Sequence, residues 1–177
     1  LLHEELVKHQ QFTLPAANWV RCMCEFIHSQ LSYVDNNDYS HRDITRHLAI
    51  HSDYCRILFA EFERRFNPAL PHPTPQQEAE FHDSFSEQIE RINTGNQTKN
   101  HFVRTIFRCA LNFLESILKS NFYSRDKTAL AFRLDADFCK FYGSLSDHYT
   151  AAFPSDLPCG VFFFFRRRAF GYHIRFT

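Results

Sequence analysis

A few groups of residues in this chain have the types and spacings that chemistry needs. His47 and His51 stand four apart, a helical spacing at which two imidazoles could share a metal ion. No glutamate follows the first in H-E-x-x-H form and no third ligand is evident nearby, so exposed or cap-forming histidines are the plainer expectation. Cys22-Met23-Cys24 sends its thiols to different faces of a helix, so core packing is expected there, not chelation. Arg166, Arg167 and Arg168 follow Phe162, Phe163, Phe164 and Phe165. They read either as an anion site or as a charged hairpin turn keeping a sticky strand soluble, the second being the simpler. His173 and Arg175 alternate with aromatic residues and leave the last strand on the same side. In a larger enzyme that side could approach a cleft; as an edge or core-facing pair they would mean little. No G-x-G-x-x-G occurs, so the fingerprint of a dinucleotide-binding fold is absent.

The elements that must position these groups are helices first and strands last. Ala16 to Tyr33 places Trp19, Met23, Phe26, Ile27 and Leu31 on one helical face. Pro15 suits a first turn, and Asp35-Asn36-Asn37-Asp38 closes the segment. Ser40 with Asp43 makes a variant capping box for a helix from His41 to His51, with Ile44, Leu48 and Ala49 inward. Ser52 is expected to cap a helix from Asp53 to Phe66 with Tyr54, Ile57, Leu58, Phe62 and Phe66 inside. Asp53, Glu61, Glu63, Arg56, Arg64 and Arg65 would then form a solvated face of weak ion pairs. Asn67 to Pro75 holds four of the seven prolines and reads as a linker or stiff corner. A polar helix from Gln76 to Asn93 carries a thin stripe of Phe81, Phe85, Ile89 and Ile92, suited to lying across a surface. Thr98 to Ser120 has the widest apolar stripe and should be the central post, with Asn121 ending it in a left-handed turn.

Three strands follow. Thr128 to Asp135 alternates, with Leu130, Phe132 and Leu134 on one side, and Val161 to Phe165 is continuously apolar. Phe170 to Phe176 alternates again, with Phe170, Tyr172, Ile174 and Phe176 on one face. Ala136 to Leu157 has no clear period and reads as a long loop. Helices followed by antiparallel strands make the fold α+β.

Composition narrows the function classes. The 177 residues hold 21 Phe but only four Gly, with a formal net charge of zero and pI near 7.3. That balance gives no electrostatic reason to bind nucleic acid or an anionic membrane. Eleven His would make the chain cationic as pH falls. Six scattered Cys without C-x-x-C read as reduced, buried thiols of an intracellular protein. No apolar run reaches the ~20 residues of a membrane span, and Leu1 to Gln11 reads like the middle of a helix, not a signal peptide.

The last third also carries a resemblance. N-F-Y-x-x-x-K-T-A-L-A-F-R-L-D (Asn121 to Asp135), P-x-G-V-F-F (Pro158 to Phe163) and F-G-Y-H-I-R-F (Phe170 to Phe176) resemble the large NAD-specific glutamate dehydrogenases. The likeness falls where that family's helical N-terminal region enters its catalytic region. It extends back through R-x-L-F-A-x-F-x-x-R-F-N-P (Arg56 to Pro68) and is weakest over the linker and the polar helix. The family usually has a basic residue before the glycine of G-Y-H-x-R-F, where this chain has Phe170 before Gly171.

The resemblance implies oxidative deamination of L-glutamate to 2-oxoglutarate and ammonia, with NAD as hydride acceptor and a homo-oligomeric complete enzyme. It implies a catalytic lysine, an acid–base carboxylate and a nucleotide fold that follow an A-R-G-G stretch absent here. No residue is therefore carried over as catalytic, cofactor-binding or metal-ligating, and this chain alone is expected to bind no NAD. Residues 1–120 would be the helical region and 121–177 the start of the substrate domain, in the cytoplasm or mitochondrial matrix. The rival reading is a non-catalytic helical interaction module. A third is a histidine-based metal protein.

Overall fold

The computed structural model describes residues 2–32, 39–135, 159–166 and 169–176. The chain divides into two compact units, Leu1–Leu111 and Asn112–Thr177. Each has its own core. The fold is α+β: helices first, then a four-stranded antiparallel sheet in the order β1-β2-β3-β4. Among the described residues no helix is long and apolar enough to cross a membrane.

The first unit begins with α1 (Leu2–Glu4) and a π-helical turn (Glu5–His9). Helix α2 (Leu14–Leu31) starts two residues before the sequence placed it, because Thr13 accepts the Ala16 amide through its side chain and Pro15 sits in the first turn. All five residues of its expected face are fully buried. In α3 (His41–Ile50) the Ser40 hydroxyl accepts the Asp43 amide at 3.2 Å and donates to the Asp43 carboxylate. Ile44 and Leu48 point inward, as their spacing requires.

Helix α4 (Ser52–Phe66) departs from expectation in two ways. Ser52 is inside the helix and makes no cap; its hydroxyl donates to Gln10 at 2.9 Å, and His51 is the junction residue. The buried face is Ser52, Cys55, Leu58, Glu61 and Phe62, while Tyr54, Ile57 and Phe66 are half-buried. The apolar count along α4 pointed to Ile57, but the small Cys55 is what fits closely against neighbours. Glu61 is thereby taken out of the supposed solvated face.

Helix α5 (Pro75–Glu90) opens with a full capping box between Thr74 and Gln77. Its stripe holds, with Phe85 and Ile89 fully buried and Phe81 stacked on Phe85. Tyr54 donates to the Gln88 carbonyl at 3.0 Å and Arg104 to that of Ile92 at 2.9 Å, which together fix the C-terminal end of this helix and the residues just after it. Trp19, Phe26, Phe62, Phe85 and Phe107 are all fully buried, each worth about 1.5–3 kcal/mol of transfer free energy.

Helix α6 runs Gln97–Ser116, shorter than its stripe. Ile117 to Ser120, expected to be its last turn, form β1 (Ile117–Ser120) instead. β1 pairs with β2 (Leu130–Leu134) through Ile117↔Leu134, Lys119↔Arg133 and Ser120↔Phe132, with an irregularity at Leu118 that leaves this leucine exposed. The cross-strand pairing overrides a helical propensity that is only a weak preference at a helix end. Asn121 does not adopt the left-handed conformation, since Gln11 is the only non-glycine residue of positive φ among those described.

β2 pairs with Val161 to Phe165 of β3 (Cys159–Arg166), and β3 pairs with β4 (Ala169–Phe176) along its whole length. One face carries Leu130, Phe132, Leu134, Val161, Phe163 and Phe165, all buried. Phe113, from the last turn of α6, meets Phe132 and Phe163 edge-on with centroids 5.5 and 6.1 Å away. The connection expected over Ala136 to Leu157 lies outside the described residues.

Candidate functional site

The histidine pair is half-buried among aromatic rings instead of exposed. His47 and His51 stack with ring centroids 6.2 Å apart; Phe102 meets His47 at 5.3 Å and Phe107 meets His51 at 5.9 Å. Burial among these rings pushes both imidazoles below their usual pKa, and His51, Arg46 and Lys99 push His47 down further. Nδ1 of His47 is buried without a hydrogen-bond partner. Among the described residues no group of three His, Cys, Asp or Glu could hold a metal ion. The arrangement is packing.

Cys22 and Cys24 are core residues, with Cys55 close to Cys24. Burial pushes the Cys24 thiol up to about 12, and those of Cys22 and Cys55 are raised for the same reason. A thiol so buried and so reluctant to ionise is a poor nucleophile.

The other two candidate groups come together on the sheet. Residues that face each other across strands lie on one side of the sheet. The row Lys119↔Arg133↔Phe162↔His173 therefore crosses all four strands on the side opposite the buried face. Arg166 and Arg175 project from that side as well, being an even number of residues from Phe162 and His173 along β3 and β4. Phe164 lies beside Phe162 with ring centroids 6.3 Å apart, and is 41% exposed. Lys119, Arg133, Arg166, His173 and Arg175 are all exposed. None of the four strands contains a carboxylate. Arg167 and Arg168 lie outside the described residues.

This outward face is thus a basic surface with two aromatic rings in it, and it could receive carboxylates or other anions. Sequence reasoning singled out Arg166, His173 and Arg175 but missed Lys119 and Arg133. Lys119 falls within Thr98 to Ser120, which reads as a helix, and Arg133 is the polar member of the alternation from Thr128 to Asp135. The signal that could have joined them was the register, which no single strand reveals.

The motif from Asn121 to Asp135 has a structural part. Asn121 Nδ2 donates to the Ala129 carbonyl at 3.0 Å and its Oδ1 accepts the Ala131 amide at 2.8 Å. Lys127 Nζ donates to the carbonyls of Phe122 and Ser124 and lies 5.7 Å from the Phe122 ring centroid. Both side chains close the turn between β1 and β2.

No family model matches the chain, and no solved structure matches it. In sequence it is similar to glutamate dehydrogenase 2 of Dictyostelium discoideum, with 29% identity over 125 residues. That alignment takes in 70% of this chain and 11% of the relative, so the chain spans a small part of the protein it matches. The similarity supports a distant relationship to the glutamate dehydrogenases.

Proposed function

We propose that the chain is a non-catalytic part of an NAD-dependent glutamate dehydrogenase. The complete enzyme would convert L-glutamate and water to 2-oxoglutarate and ammonium, passing a hydride to NAD and releasing a proton. The observation that carries this reading is the 29% identity over 125 residues with a protein named glutamate dehydrogenase 2. The motif from Asn121 to Asp135 supports it, because its Asn and Lys are the residues that close the β1–β2 turn.

On this reading residues 1–120 are a helical support and 121–177 begin the substrate domain. The chemistry belongs to residues outside this chain: a lysine of lowered pKa to activate water, a carboxylate to move protons, and a nucleotide-binding fold. The complete enzyme would be a homo-oligomer.

The test is to sequence the native transcript through and past the codon for Thr177, then assay the product of the whole reading frame. A glycine-rich stretch, a lysine and a G-x-G-x-x-G downstream are expected, with glutamate-dependent reduction of NAD and little of NADP. Residues 1–177 alone should show none. A reading frame that encodes no nucleotide-binding region, or a full-length product inert toward glutamate with either nucleotide, would overturn the proposal in favour of an interaction module.

A further inference from the structure

Thr74 and Pro75 end the proline corner between α4 and α5, and they are the only Ser/Thr–Pro pair in the chain. Pro71 to Thr74 run without helix or strand, and the Thr74 backbone is extended at φ −75° and ψ 157°. Pro71, His72, Thr74, Pro75, Gln76 and Gln77 are all exposed. Thr74 Oγ1 accepts the Gln77 amide at 3.3 Å, and its own O–H has no acceptor. An enzyme that modifies a hydroxyl followed by proline needs an exposed, extended segment of this kind. The first turn of α5 can join that segment, because helix ends fray.

A cleft of about 280 Å³ adjoins this threonine, lined by Arg64, Leu70, Pro71, His72, Pro73 and Gln77. Arg64 spends Nε and Nη2 on Glu61 and the Gln77 carbonyl, while its Nη1 makes no hydrogen bond. His72 donates from Nδ1 to the Arg65 carbonyl at 2.9 Å, which fixes the ring and leaves Nε2 uncommitted. The Arg65 side chain is 9% exposed, and its buried Nη2 has no hydrogen-bond partner. Glu78, also in the first turn of α5, faces Arg65 with its carboxylate 3.9 Å from Nε. Guanidinium N–H groups on the α4 side of the corner are thus left without acceptors, beside a threonine able to carry one.

We propose that Thr74 is phosphorylated by a proline-directed protein kinase, and that the phosphate seats in this cleft on Arg64 and His72. The Thr74 oxygen attacks the γ-phosphorus of ATP. Its new O–P bond forms as the bond to ADP breaks, and the hydroxyl proton passes to the kinase's base. The product carries about −1.5 to −2 charge near pH 7. The neutral hydroxyl caps α5 alone, whereas the phosphate spans the corner, attached before α5 and held by Arg64 of α4. Phosphorylation therefore locks the two helices together. The inference stands apart from the dehydrogenase reading, because every group it uses lies between Arg64 and Glu78.

The test is to incubate the full 177-residue chain with an active mitogen-activated protein kinase and ATP, map the phosphate by mass spectrometry, and unfold both forms in urea. One phosphate, on Thr74, is expected. It should raise the urea midpoint, with the unfolding constant lowered at least about fivefold. In Arg64→Gln the same modification should lower that constant less than about twofold. Because Arg64→Gln also loosens Glu61, each form is compared only with its own unmodified chain. Phosphorus NMR gives a second readout. The native phosphothreonine should titrate at lower pH than in the urea-unfolded chain, since a neighbouring guanidinium favours the dianion, and Arg64→Gln should shrink that difference.

A folded chain that takes no phosphate at Thr74, under conditions where a peptide of Pro68 to Glu80 is modified, would overturn the site. A phosphorylated chain no more stable than the unmodified one would overturn the seating in the cleft. So would a gain in stability, or a shift in titration, that Arg64→Gln leaves undiminished, since the helix terminus alone would then account for it. None of these results depends on whether the complete protein oxidises glutamate.

Discussion

Asn121 works as if it were an extra residue of a strand. Its side-chain amide uses one N–H and its oxygen, the same donor–acceptor pair a peptide unit presents, to engage Ala129 just before β2 and Ala131 within it. Its own amide also donates to the Ala131 carbonyl at 3.2 Å. Asn121→Ala removes both side-chain bonds and leaves two half-buried backbone groups to find water, a loss of about 1–3 kcal/mol. The urea midpoint should fall with the slope unchanged, since the surface exposed on unfolding stays the same. An unchanged midpoint would mean water replaces the amide fully. At the same scale, Cys22, Cys24 and Cys55 should resist alkylation in the native protein at pH 8. Their thiols are buried and held well above the usual range. Mass-spectrometric mapping should find them labelled at once in denaturant; rapid native labelling would show that the α2–α4 core opens readily.

Between elements, the decisive contact is one that the charge pattern disguised. Glu61 is 4% exposed and accepts from Arg64 Nε at 2.7 Å, Arg64 Nη2 at 2.8 Å and Arg65 Nε at 2.7 Å. Arg65 lies 5.9 Å from the Phe81 ring centroid, and Arg64 donates to the Gln77 carbonyl at 3.5 Å, so the cluster joins α4 to α5 across the proline corner. Glu61→Ala leaves the Arg65 guanidinium, whose side chain is 9% exposed, with only the more distant Glu78 carboxylate at 3.9 Å. Breaking a buried pair costs about 3–5 kcal/mol, but Arg64 can turn to water, so about 2–3 kcal/mol is expected by chemical denaturation. A loss under about 0.5 kcal/mol would return Glu61 to the solvated face. A mixed run of acids and arginines gave no hint of this, because helical periodicity assigns faces by apolarity and Glu61 is charged. The apolar stripes of α2, α3 and α5 were legible for the converse reason: Trp19, Leu48 and Phe85 have nowhere else to go. β1 was not legible. Ile117 and Leu118 continue the stripe of α6, and only pairing with β2, set by residues more than a dozen positions away, makes them a strand. The basic row across the sheet was hidden likewise, since it exists only in the register.

At the scale of the whole molecule, the histidines tie stability to pH. His28, His47 and His51 all have lowered pKa values, chiefly because burial penalises their charged forms. His28 is pushed down also by His41 and up by Glu25; His47 is pushed down by His51, Arg46 and Lys99 and up by Asp43. Below their unfolded pKa of about 6.5, the unfolded chain binds protons that the native chain refuses. Stability then rises with pH across the window between the lowered native values and about 6.5, and is fully present above it. The urea midpoint should be level from about pH 8 to 7 and fall from about pH 6.5 to 5, above the range where exposed carboxylates titrate. His47→Gln with His51→Gln should lower stability at pH 7.5, where the stacked rings are lost, yet flatten the acid limb, because two of the three proton-refusing groups are gone. That opposite pair of effects separates protonation from packing. A midpoint that stays level down to pH 5 in the wild type, or an acid limb equally steep in the double variant, would show that the imidazoles charge without disturbing the aromatic layer that holds α3, α4 and α6.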